Sequence, residues 1–122
     1  MKGFESKKEN LKKNKFIQFD KLIQEAFEFH RNGKLIEAEI LYEKIINKGI
    51  SDARVFTNLG VIYQQNNKYD KAIKIYKKSI SKFPKSHEPY CNLGRILLNT
   101  GQYELAEQYL KKGIKIKPDF LM

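Results

Sequence analysis

The apolar positions of this chain recur with helical spacing, and the spacing itself then recurs. Phe56, Leu59, Gly60 and Tyr63 stand at i, i+3, i+4 and i+7, one face of an amphipathic helix. Tyr69, Ala72, Ile73, Tyr76 and Ile80 trace a second such face. Between the two lies "QNNK", and the matching stretches "RNGK" and "NTGQ" place Gly33, Asn67 and Gly101 in register. These residue types tolerate the left-handed conformation that ends a helix. Asp52 and Ser86 are placed to cap the helix that follows each of them. Pro84 and Pro118 fall where a helix must stop. The pattern predicts helix–turn–helix hairpins and no strands.

The hairpins are copies. "TNLG" at 57–60 returns as "CNLG" at 91–94, and the shift that aligns them aligns much more. Phe56, Leu59, Gly60 and Tyr63 fall on Tyr90, Leu93, Gly94 and Leu97. Ala72, Tyr76 and Pro84 fall on Ala106, Leu110 and Pro118. A fainter copy upstream supplies Leu22, Ala26, Phe29, Ala38 and Tyr42, with Glu25 in place of the leucine and Ile50 in place of the proline. Three copies are expected, at about 19–52, 53–86 and 87–120. A helical glycine costs about 1 kcal/mol relative to alanine. Its return at 60 and 94 therefore predicts a close helix crossing, with Ala26 at the same place in the first copy and Ala38, Ala72 and Ala106 as small residues opposite.

This pattern of a bulky residue, Leu-Gly, Tyr, Ala, an aromatic and Pro resembles the tetratricopeptide repeat, over roughly 100 of the 122 residues. The resemblance implies an all-α fold, a right-handed superhelical stack of three hairpins, whose first helices line a concave groove for a protein segment. Carried onto this chain, the lining positions are Ile23, Gln24, Phe27, His30 and Arg31, then Arg54, Thr57, Asn58, Val61, Gln64 and Gln65. The third copy adds Glu88, Cys91, Asn92, Arg95, Leu98 and Asn99.

Six of these carry the functional expectation: Gln24, Arg31, Arg54, Asn58, Asn92 and Arg95. Asn58 and Asn92 are equivalent, with Gln24 at the same place in the first copy. An amide both donates to and accepts from a peptide backbone, which suits an extended ligand. The competing role for these asparagines is to bond within the array. All three arginines of the chain fall at lining positions, whereas the lysines crowd the second helices. Arginine offers a planar fork for carboxylate or phosphate; lysine is a hydrated point charge. A non-catalytic scaffold that grips an extended or acidic segment is the expected function. The variant of the family that clamps the C-terminal carboxylate of chaperones is not expected. Asn58 fits it, but Ile23, Phe27, Glu88 and Asn92 stand where its other Lys, Asn and Arg residues belong.

Composition adds two alternatives and removes several classes. The net charge is +10, with 21 lysines among the 24 basic residues, so a nucleic-acid or membrane-surface binder is one rival reading. The "MKGF" start and its lysine-rich continuation resemble, more weakly, the opening of some cyanobacterial multi-repeat proteins. That likeness implies the other rival, an accessory module for a glycosyltransferase or sulfotransferase. Residues 1–15 hold six lysines and two glutamates and are expected to be a disordered basic tail, or to extend the first helix loosely. The chain runs to "KPDFLM" without a polar capping helix, which raises weak self-association through the last hairpin and a truncated relative of a longer family as expectations. The single cysteine excludes an internal disulfide, and no nucleophile, phosphate-binding or metal motif is present. No cofactor is expected, and the expected location is the cytoplasm. Cys91 would be reactive only if Arg95, one turn on, lowered its pKa; a small packing role is the alternative.

Overall fold

The computed structural model describes residues 2–118, and among them are six α-helices and no strand. The chain divides into two compact units, one ending at Ile50 and the other beginning at Ser51. In the first, α1 (Lys2–Arg31) packs against α2 (Leu35–Asn47). In the second, α3 (Ala53–Gln65) pairs with α4 (Tyr69–Lys82), α5 (Glu88–Asn99) with α6 (Tyr103–Ile116), and α4 packs on α5.

The three turns within hairpins are built alike. Gly33, Asn67 and Gly101 adopt φ of +76°, +59° and +80°. In each turn the residue after the left-handed one donates to a carbonyl five residues back, at 2.8 Å: Lys34 to Phe29, Lys68 to Tyr63 and Gln102 to Leu97. The paired bonds of this motif satisfy carbonyls that a helix end leaves open. Asp52 caps α3 as its position implies, accepting from the Arg54 amide at 2.9 Å. Ser86 does not cap α5: His87 holds the cap position without a side-chain bond, and Pro89 stands in the first turn. Pro84 follows α4, and its carbonyl accepts from the Tyr90 hydroxyl at 3.1 Å.

Each first helix crosses its partner where the small residues lie. Ala26, Ala38, Ala72 and Ala106 are fully buried. A Cβ on Gly60 would stand 2.6 Å from Cζ of Tyr76, and one on Gly94 would stand 2.6 Å from Cγ of Leu110. The glycines thus make room for the large residue one turn beyond the alanine rather than for the alanine alone. Gly113 on α6 does the same for Cys91, whose Sγ would lie 2.6 Å from an added Cβ.

Of the two expectations for the basic N-terminal segment, a disordered tail or an extension of the first helix, the structure has the extension. Helix α1 starts at Lys2, so residues 2–15 lengthen the first helix, which at about 1.5 Å per residue runs some 45 Å. Lys, Glu and Leu favour helix and outnumber Gly3, Ser6, Asn10 and Asn14, which oppose it. Residues 6–18 are all exposed, Leu11, Phe16 and Ile17 among them. Residues 119–122, on which the expectation of an uncapped end partly rests, lie outside the described residues.

Two stability outcomes are expected. Gly60→Ala gains about 1 kcal/mol of helix propensity but overpacks against the buried Tyr76 ring, so the unfolding free energy from urea denaturation falls by a net of roughly 1–2 kcal/mol. Asn67→Ala forces alanine into the left-handed region and should cost about 1 kcal/mol in the same measurement.

Candidate interaction face on the first helices

Tyr76 organises the second unit. Its ring is fully buried on Gly60, and its hydroxyl donates to Oε1 of Gln64 on α3 at 2.9 Å. The Asn92 side chain on α5 also bonds this hydroxyl, so one phenol ties α3, α4 and α5 together. Burial pushes the Tyr76 pKa well above its ordinary value, and the Asn92 bond only partly opposes the shift. The first unit repeats half of the arrangement. Tyr42 is buried on α2, and its hydroxyl lies 3.0 Å from Nδ1 of His30. Burial lowers the His30 pKa, which favours a neutral ring there. In the third hairpin the equivalent positions hold Leu98 and Leu110, both apolar.

Sequence reading placed these residues without pairing them. The available signal was a polar residue twelve positions before each buried tyrosine, His30 before Tyr42 and Gln64 before Tyr76. The packing of Gly113 on Cys91 likewise had only one cue, a glycine inside a helical pattern.

Of the six residues expected to carry binding, Asn58 and Asn92 are half-buried on α3 and α5, at the same register. Asn92 takes the array-bonding role through Tyr76. Arg95 is exposed one turn along α5. Arg54 is also exposed, but Asp52 already holds it: Nε lies 3.1 Å and Nη2 2.7 Å from the two carboxylate oxygens. This bidentate pair keeps the Asp52 carboxyl below the usual carboxylate range. In the first unit, Gln24 and Arg31 are exposed on α1.

Three residues expected to line the groove do not. Ile23 is 6% exposed, Thr57 8% and Cys91 fully buried. All three stand at one register of the repeat, 34 residues apart. For Cys91, burial raises the thiol pKa and outweighs the opposing effect of Arg95, so the packing role holds and the reactive one does not. Among the described residues, no group of three or more His, Cys, Asp or Glu is arranged to hold a metal ion. No described helix is long and apolar enough to cross a membrane.

A family model described as the tetratricopeptide repeat matches residues 51–119, which span the second and third hairpins. No curated protein matches the sequence. Solved structures similar to this one include the Yersinia enterocolitica type III secretion translocator chaperone SycD, at 24% identity and a TM-score of 0.75, over 84% of this chain and 77% of that one. MamA is similar at 24% identity and a TM-score of 0.71, over 76% of this chain and 54% of its own. A variant of the Thermobaculum terrenum O-GlcNAc transferase aligns at 20% identity and a TM-score of 0.74, over 84% of this chain but only 20% of the transferase. At these identities the likeness is one of fold.

The buried Cys91 thiol should react with a disulfide reagent more than about tenfold slower in the native chain than in guanidinium-unfolded chain. Equal rates would mean that the thiol is accessible in the folded state.

Proposed function

Because the chain belongs to the tetratricopeptide repeat family, we propose that it is a non-catalytic scaffold that binds an extended, acidic segment of a partner protein along α3 and α5. The observation that carries this reading is the equivalence of Asn58 and Asn92. The same amide recurs at the same register and the same partial burial on the first helices of successive hairpins. A backbone running across both can donate to one amide oxygen and accept from an amide hydrogen. Arg95 adds a guanidinium fork for a carboxylate on the ligand. Arg54 offers a second fork, from which a partner carboxylate must displace Asp52. Gln24 and Arg31 on α1 offer the same two chemistries in the first unit.

The Yersinia relative is a translocator chaperone, which agrees with a role in engaging other proteins. The likeness to part of an O-GlcNAc transferase extends to the fold and gives no specific support to the accessory-module alternative. A second proposal concerns α6, which leaves Leu105, Ile114 and Ile116 exposed: two chains associate weakly through this helix. A sedimentation mass of one chain at high micromolar concentration would overturn it.

The test of the binding face uses native lysate passed over immobilised chain, followed by salt steps to about 0.5 M, where exposed charges are largely screened. Asn58→Ala with Arg95→Ala should weaken capture of a discrete protein by at least about tenfold while leaving the fold intact. Asn92 is left in place because its loss also breaks the Tyr76 bond. Capture that ignores the double substitution would place binding elsewhere.

A further inference from the structure

The positive charge of the chain is concentrated in its second unit. Residues 51–122 hold thirteen Lys and Arg against six Asp and Glu, whereas residues 1–50 hold eleven against eight. On α4 the lysines form a ridge. Lys71, Lys74, Lys78 and Lys82 are spaced three, four and four residues apart, which puts them along one side of the helix over about 16 Å. Lys71, Lys74 and Lys78 surround a shallow cavity of about 390 Å³ whose floor is Tyr63 and Ile75. The Lys71 ammonium lies 5.6 Å from the Tyr63 ring centroid and Lys82 lies 6.0 Å from that of Phe56, so aromatic faces hold two of the four heads.

A solvated lysine face would have carboxylates spread among the ammonium groups, as on α6, where Lys111 pairs with Glu107 at 2.9 Å. The α4 ridge differs. Among the described residues no carboxylate pairs with Lys71, Lys74 or Lys78, although Asp70 stands one helical turn before Lys74. Three ammonium groups that converge without counter-charge repel one another, and an external anion relieves that repulsion.

We propose that this ridge docks the protein on an anionic lipid surface, with Lys71, Lys74 and Lys78 seating headgroup phosphate in the cavity. Two features favour a lipid surface over a nucleic acid. The ridge contains no arginine, all three arginines being on first helices, so the fork that reads phosphate and base edges is absent. The ring beneath the cavity, Tyr63, is only 7% exposed and offers no platform for base stacking. A row of lysines suits many diffuse contacts to a charged plane, each adding a similar increment. The ridge belongs to a second helix, so it operates independently of the face on α3 and α5.

The test is co-sedimentation of the full chain with phosphatidylcholine vesicles, with and without about 30% phosphatidylserine. Binding should require the anionic lipid and disappear by about 0.5 M salt. Lys71→Gln, Lys74→Gln and Lys78→Gln together should lower the partition coefficient about a hundredfold. The triple Lys111→Gln, Lys112→Gln and Lys115→Gln removes the same charge and should lower it less than about fivefold, with circular dichroism confirming both folds. Equal losses in the two triples would reduce the effect to net charge and overturn the site. So would absence of binding to the anionic vesicles, or tighter α4-dependent binding of a poly-uridine oligonucleotide than of the vesicles.

Discussion

Tyr76 lying flat on Gly60 is the contact on which the second unit depends. The ring can reach that depth only because position 60 has no side chain. At that depth its hydroxyl is cut off from water and must find partners in the protein, since an unsatisfied buried hydroxyl costs about 1–3 kcal/mol. Gln64 and Asn92 supply them from two different helices. A steric concession in α3 thus becomes a polar junction that fixes α5 against the preceding hairpin. The same logic, in apolar form, places Leu110 on Gly94 in the third hairpin. The helix-propensity cost of each glycine is offset by the ring or side chain that it admits.

The fold was legible because its information is periodic. Helix spacing, turn glycines, the close crossing at Gly60 and Gly94 and the stop after each second helix all repeat at one interval, so each copy checks the others. What escaped reading was aperiodic or cross-hairpin, apart from one lining register, 23, 57 and 91, that is buried in all three copies. Ser86 occupies a cap position by repeat logic, yet His87 holds that position in α5 and Pro89 stands in the first turn. The first fifteen residues have no equivalent in the other copies, so composition alone left a tail and an extension of the first helix both open, and the helix propensity of Lys and Glu favours the extension. The burial of Ile23, Thr57 and Cys91 depends on how far each helix is rotated about its axis, which one residue of pattern does not fix.

The candidate face was legible in part. The asparagine equivalence came straight from the repeat, but the division of labour did not. Asn92 is both a structural partner of Tyr76 and a half-exposed amide, while Arg54 is held by the residue that caps its own helix. Within the second unit, the separation of arginine on first helices from lysine on second helices and turns then acquires a physical sense. Forked, directional groups stand beside amides that can bond a backbone, and point charges line a ridge that no carboxylate among the described residues pairs with. One small stack can in this way present two chemically distinct surfaces.

A double-mutant cycle between Tyr76→Phe and Asn92→Ala, followed by urea denaturation, tests the central junction most directly. If the Tyr76 hydroxyl ties α5 to the hairpin before it, the two substitutions will be coupled by about 1 kcal/mol, the double variant losing less than the sum of the singles. Strict additivity would contradict the account, because it would mean that Tyr76 and Asn92 contribute independently and that packing alone holds the hairpins together.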